Sequence, residues 1–222
     1  MIPAVPRRAI GSRAVFAGSR AALILAWAVL LGACSTAGGG TPLATTGGSP
    51  ESGACPASQP EPLPAGETRT VTIETEKGAI AITIEADLSP IAAGNFVALA
   101  GCGYYDGVVF HRVVPTFVIQ GGDPTGTGTG GPGYEIQDEP VTATYLRGTV
   151  AMARTPQPNS VGSQFFIVLD DAARSALESA NTYQIIGTVS SGMDAVDAIA
   201  AAADAELPSN PVVMTTVTVS NP

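Results

Sequence analysis

One histidine and three cysteines limit the covalent chemistry open to this 222-residue chain. A serine or cysteine nucleophile needs a positioned base, and only His111 offers an imidazole. It lies in a β-like run with Phe110 and Arg112 on the opposite face, which suits a packed, hydrogen-bonded structural histidine. No CxxC or HxxxH pair exists to hold a tetrahedral ion, so no structural metal and no cofactor are expected. Gly126-Thr127-Gly128-Thr129-Gly130-Gly131 fits GxGxxG by letter, but Pro132-Gly133-Tyr134-Glu135 follows it. A dinucleotide site needs a helix N-terminus there to receive the pyrophosphate. The glycines are better read as a tight surface loop with positive φ angles.

The informative stretch is Phe110 to Asp123, FHRVVPTFVIQGGD, where Arg112 is followed by Phe117, Val118 and Gln120 and then a glycine turn. Thr149 to Ala153 (TVAMA) and Gly162 to Phe166 (GSQFF) add Ala153, Gln164 and Phe166 further along. By spacing alone the aromatics read as ordinary core; the three motifs together argue for a site.

The strands and helices expected around these residues are short. Thr70 to Thr75 and Ala79 to Glu85 alternate and are β-rich, and Glu76-Lys77-Gly78 between them predicts a hairpin. Ser89 and Pro90 form an N-cap and N1 pair, predicting a helix from Pro90 to Ala100 that ends at Gly101. Strands are expected at Val108 to Val114, Phe117 to Gln120, Gly148 to Ala153, Gln164 to Leu169, Gln184 to Val189 and Val212 to Val219. Short helices are expected at Asp171 to Ser179 and Met193 to Ala203. About eight short strands without βαβ alternation argue for a mainly β fold, an antiparallel sheet closed into a barrel. Closure would remove exposed strand edges.

Ahead of this domain, Arg7 through Arg20 make a positive, acid-free lead, and Ala21 to Leu31 (AALILAWAVLL) is a continuous apolar run. That is the layout of a secretory signal. Eleven residues at helical rise cover roughly 16 Å of a hydrocarbon core about 30 Å thick, too little to span it. Leu31-Gly32-Ala33-Cys34 then resembles the bacterial lipobox, which implies lipidation of Cys34 and removal of residues 1–33. More than one acyl chain, at about 0.8 kcal/mol per buried CH₂, holds a protein on a membrane. Ser35 to Gly66 is rich in Gly, Ser, Thr and Pro and reads as a flexible tether with a reach near 30 Å, roughly. The expected organisation is therefore signal peptide 1–33, lipid-anchored linker 34–66 and one domain 67–222, exported and held at the membrane through Cys34. Loss of Arg7, Arg8, Arg13 and Arg20 with the signal leaves six basic against 19 acidic residues. So acidic a surface repels phosphate backbones, and no nucleic-acid partner is expected. Cys55 and Cys102 could pair in an exported protein, or Cys102 could be a small buried thiol.

Over residues 70 to 220 the three motifs, in this order, resemble the cyclophilin family of peptidyl-prolyl isomerases. The resemblance implies a closed eight-stranded antiparallel barrel with two capping helices and a substrate groove on its outer face. By motif position it assigns catalysis to Arg112, Phe117 and Gln120. The substrate path falls on Val118, Ala153, Arg154, Gln164, Phe166, Leu177 and Tyr183, with Phe117, Phe166 and Leu177 as the proline pocket. The sequence departs from the family at Val118, where methionine is common, at Arg154, where asparagine is, and at Tyr183, where histidine is frequent. The implied activity is cis/trans isomerisation of prolyl bonds in exported or surface proteins, by a monomer acting on proline-containing segments. A proline-peptide binding module or chaperone with little turnover is the competing expectation.

Overall fold

The computed structural model describes residues 54–221. The expected signal segment, Cys34 and the linker up to residue 53 lie outside the described residues.

The predicted hairpin forms as β1 (Thr68–Thr75) and β2 (Gly78–Glu85), paired antiparallel over all eight positions. Alternation drives the pairing, because Val71 and Ile73 of β1 face Ile80, Ile82 and Ile84 of β2 in the core. Helix α1 (Pro90–Gly101) follows, starting on proline as expected. Its N-cap differs from expectation: Ser89 makes no side-chain cap. Glu139 accepts from the Ile91 and Ala92 N–H groups at 2.8 and 2.9 Å instead, a charge-assisted cap from a distant loop.

The remaining strands are β3 (Arg112–Val114), β4 (Val118–Gly121), β5 (Thr149–Met152), β6 (Phe165–Val168), β7 (Ile185–Ser191) and β8 (Met214–Ser220). A 3-10 turn (Asp171–Ala173) leads into α2 (Arg174–Ala180), and α3 (Met193–Ala202) follows β7. The eight strands form one antiparallel sheet in the order β3-β4-β6-β5-β7-β2-β1-β8.

Two features of the expected barrel are corrected. The sheet is an open, curled half-barrel: β3 and β8 stand at its two ends and share no ladder. The seam holds only an isolated bridge between Val109 and Val213, and single backbone bonds such as Phe110 N–H to Val212 carbonyl at 2.9 Å. Closure fails because the chain opposite β3, residues 203–213, contains Pro208 and Pro211, which cannot donate to a ladder. The described residues also hold three α-helices, at the three segments read as helical from the sequence, where the family resemblance implied two capping helices.

Two apolar clusters divide the side chains by face. Ile119, Val150, Met152, Phe165 and Ile167 point into the main core with α1 and the β1–β2 hairpin. Val118, Ala151, Phe166 and Val168 point to the opposite face, where Leu177 and Ile185 join them. Strands β5 and β6 are consequently buried at every position.

Residues 54–66, the end of the expected linker, run along the domain as a strap. Cys55 and Cys102 form a disulfide with a Cα separation of 5.2 Å, which resolves the open alternative for this pair. Leu63 is buried, and its N–H donates to the Pro90 carbonyl at 2.9 Å. The strap passes so close over α1 that a Cβ on Gly94 would lie 2.4 Å from the Glu61 carbonyl oxygen and 2.8 Å from the Leu63 nitrogen. A helical glycine, otherwise unfavourable by about 1 kcal/mol against alanine, is here a requirement of packing.

Candidate active site

Antiparallel register builds the centre of the site. Arg112 of β3 faces Gln120 of β4, Gln120 faces Phe166 of β6, and Phe166 faces Ala151 of β5. Directly opposed residues share a face of a sheet, so a cation, an amide and an aromatic ring form one transverse row on the outer side. The turn joining β3 to β4 carries Thr116 at φ 62°, and the Phe117 N–H closes it onto the Val114 carbonyl at 3.0 Å. That turn brings Phe117 back toward the row.

A cavity of about 250 Å³ opens beside it, lined by Arg112, Phe117, Val118, Gln120, Ala153, Arg154, Phe166, Leu177 and Tyr183. Nine of the ten site residues expected from the sequence thus surround one hollow. The tenth, Gln164, lines a neighbouring cavity of about 720 Å³ that shares Gln120, Ala153 and Arg154 with the first. The apolar floor comes from Val118, Phe166 and Leu177, all buried. Tyr183 meets the Phe166 ring edge-on, with centroids 5.4 Å apart. Its backbone is held by Tyr145, whose hydroxyl donates to the Tyr183 carbonyl at 2.8 Å. Burial pushes the Tyr145 phenol up to about 12, so it stays a donor.

A chain of amides fixes the polar side. Gln164 Nε2 donates to the Gly128 and Gly130 carbonyls at 3.0 and 2.9 Å. Its Oε1 accepts from Gln120 Nε2 at 2.9 Å, and Gln120 Oε1 accepts from Arg112 Nη1 at 3.4 Å. Each amide thus has one orientation, because reversing either would set like atoms against each other. Arg112 Nε donates to Glu206 Oε1 at 2.7 Å.

The glycine loop at the start of this chain is wrapped around Asp123, which is fully buried. Burial alone would raise its carboxyl. Hydrogen bonds from the Gly130 N–H, the Thr125 hydroxyl and the Thr125 and Gly128 N–H groups outweigh that and bring it down to about 2. Gly126 and Gly128 take φ of 68° and 86°, and a Cβ on Gly130 would sit 2.1 Å from Asp123 Oδ1. The glycines therefore serve a turn around a carboxylate, in line with the loop reading. His111 is buried beneath the loop, and desolvation lowers its pKa. Neither ring nitrogen makes a hydrogen bond of good geometry among the described residues, although the nearby Val109 backbone acts against that desolvation.

Arg154 turns its guanidinium away from the Arg112 row. It pairs with Asp138 at 2.9 Å and donates to the Thr155 and Gln157 carbonyls, so it braces its own loop. Sequence reasoning missed Tyr145 and Glu206. Both act on the site from loops, and no motif or periodicity marks either.

The arrangement offers noncovalent chemistry. A fixed guanidinium beside a small apolar socket can stabilise a lone pair that appears only part-way through a rotation. Residues 70–219 match the family model described as cyclophilin type peptidyl-prolyl cis-trans isomerase/CLD. A peptidyl-prolyl cis-trans isomerase of Synechococcus elongatus is 50% identical over 95 residues, covering 43% of this chain and 65% of that protein. A Brucella abortus protein named as a probable peptidyl-prolyl cis-trans isomerase is 39% identical over 153 residues, covering 62% of this chain and 74% of that one. The chain spans only 22% of a longer Streptococcus pyogenes relative. Among solved structures, a cyclophilin type peptidyl-prolyl cis-trans isomerase of Cryptosporidium parvum superposes with a TM-score of 0.62 at 32% identity, over 70% of this chain and 99% of that one. The same protein was solved in the presence of the dipeptide Ala-Pro. With this fold, this site and a family match over residues 70–219, the chain belongs to the cyclophilin-type peptidyl-prolyl cis-trans isomerases.

Proposed function

We propose that the mature protein is a lipid-anchored, monomeric isomerase outside the cell membrane that accelerates prolyl rotation in exported or surface proteins as they fold. Rotating a peptide bond costs about 18–20 kcal/mol because amide resonance is lost. Half-way round, the prolyl nitrogen is pyramidal and carries a free lone pair. Arg112 donates to that nitrogen, Phe117, Phe166 and Leu177 take the pyrrolidine ring, and Gln120 steadies the guanidinium. Ala153, Arg154 and Gln164 border the path of the peptide, Arg154 through its backbone. Val118 and Tyr183 complete the hollow. Arginine keeps its charge at any physiological pH, so the rate does not follow a histidine titration. Uncatalysed isomerisation takes tens of seconds, long enough to delay folding after export.

The observation that carries this reading is the transverse row Arg112–Gln120–Phe166 beside an apolar hollow. A prolyl-peptide isomerisation assay on wild type and Arg112→Ala tests it. Equal, near-background rates would mean that the groove only binds proline peptides. The anchor rests on the sequence at Leu31-Gly32-Ala33-Cys34 and on the Cys55–Cys102 disulfide, a bond suited to an oxidising compartment. Labelled fatty acid should enter the wild type and not Cys34→Ser; equal labelling of both would rule out that attachment point.

A further inference from the structure

Of the five N–H donors on a guanidinium, Arg112 commits two to the protein. Nη1 meets Gln120 Oε1 at 3.4 Å, and Nε meets the Glu206 carboxylate at 2.7 Å. Among the described residues nothing takes Nη2. The amide contact is long, whereas the carboxylate bond is short and charge-assisted, and so is the stronger of the two. An arginine held by the long contact alone would keep much of its rotamer freedom, and misplacing a reacting group by an ångström can slow a reaction roughly a hundredfold.

Glu206 is well placed to prevent that. It belongs to the loop between α3 and β8, which runs beside the edge strand β3, and the Val113 N–H donates to the Glu206 carbonyl at 2.8 Å. Asp204 Oδ1 accepts from the Ser209 N–H at 3.0 Å and ties the loop to itself. The backbone of residue 206 is thereby fixed to the strand that carries Arg112. Nothing in the loop contributes to the apolar hollow: Leu207, the next residue, is 66% exposed. Among the described residues the carboxylate has one partner, the arginine.

We propose that Glu206 is a positioning residue for the isomerase reaction, holding Arg112 by Nε so that its Nη groups face the cavity that Arg112 lines with Phe117 and Phe166. The proposal rests on the isomerase reading above. Because the two side chains are 34% and 60% exposed, salt weakens the pair, and kcat falls as ionic strength rises. In Glu206→Gln, which has no charge to screen, that salt dependence is lost.

The test measures prolyl-peptide isomerisation and thermal stability for wild type, Glu206→Ala and Glu206→Gln, and for Glu206→Ala in an Arg112→Lys background. Lysine has no Nε–H edge to hold. Glu206→Ala should lower kcat roughly tenfold with little change in KM, and Glu206→Gln, which keeps an acceptor oxygen, should recover much of the loss. In the lysine background the same substitution should change the rate less than roughly twofold. Wild-type kcat in Glu206→Ala, a loss confined to KM, or an equal loss in both backgrounds overturns the proposal. If wild type itself runs at background, the isomerase reading fails, and NMR of the Arg112 Nε–H then decides the contact. A shifted, exchange-protected signal that Glu206→Ala abolishes supports it; a signal the substitution leaves unchanged overturns it.

Discussion

The two halves of the sheet are built differently. On one side β1 and β2 pair over eight positions, and β8 extends the ladder over six more pairs. On the other, β3, β4, β5 and β6 have three or four residues each. The long half shows the alternation of a sheet with one solvated face, as β2 does in burying Ile80, Ile82 and Ile84 between more exposed neighbours. In the short half, β5 and β6 are covered on both faces, by the main core inside and by the cluster around Val118, Phe166 and Leu177 outside. Successive residues such as Phe165 and Phe166 therefore serve core and site in turn. The long ladder supplies a frame, and the short strands lend one face to recognition while the other stays bonded to that frame.

Two substitutions separate these roles most sharply. Arg112→Ala should lower the isomerase rate roughly a hundred- to thousandfold, as losing one preorganised donor to a developing lone pair does, and leave the melting temperature within a degree or two, roughly. Ile82→Ala should do the reverse. Removing a side chain with no exposed surface costs about 2–5 kcal/mol of stability, with kcat/KM of the folded fraction unchanged. Thermal melts beside isomerisation assays check both. A large drop in melting temperature for Arg112→Ala would mean that the row is part of the frame, and the division between halves would collapse.

The same division governs what could be read in the sequence. The hairpin, α1 and α3 were legible within a residue or two, because alternation, a proline start and a run of small apolar residues act locally. The expected strand Val108 to Val114 was too long: only Arg112–Val114 run as a continuous ladder with β4, while Val109 makes single bridges to Asp123 and, across the seam, to Val213, and Gly107 and Phe110 bond to Met214 and Val212. Closure was overestimated for the related reason that Pro208 and Pro211 act on a partner strand, β3, that lies far earlier in the chain. In the site, motif order located ten residues that the fold brings to two adjoining cavities. Glu206 left no mark, because a loop carboxylate becomes an arginine's partner only through tertiary structure. The strap was hidden as well. Its composition is that of a tether, and what ties it down is tertiary: the buried Leu63, the disulfide and hydrogen bonds such as those from the Leu63 N–H to the Pro90 carbonyl and from the Gln137 N–H to Gln59 Oε1.

That strap makes the next prediction, of a smaller effect. A bridge over a separation of 47 residues contributes up to about 4 kcal/mol in the chain-entropy model. Leu63 and the Pro90 bond also hold the segment, so the loss on reduction, or in a Cys55→Ser/Cys102→Ser variant, should be nearer 2 kcal/mol, roughly. None of residues 54–66 lines either cavity, so the isomerase rate should not change. Melts and assays with and without reductant decide it. A rate that falls with reduction would tie the strap to the catalytic half.

The smallest effect lies where frame and site meet, in the loop around Asp123. An unfolded aspartate titrates near 3.9, roughly, and in the folded protein Asp123 titrates at about 2. A carboxyl lowered by folding stabilises the protein while it is ionised. That contribution is complete above the unfolded value and is lost as pH falls from about 4 through 2. Asp123→Asn keeps the shape but has one acceptor oxygen for donors that now approach two. The gap in melting temperature between wild type and Asp123→Asn should therefore be widest near neutrality and close as pH falls through that window. A gap independent of pH would locate the contribution of Asp123 in packing rather than charge. The rate near neutrality should also fall modestly in the variant, because Gly128 and Gly130, whose N–H groups the carboxylate holds, accept the Gln164 bonds from which the amide chain to Arg112 begins. An unaltered rate would show that Gln120 is held in place without the loop, and the chain would then begin at Gln164 itself.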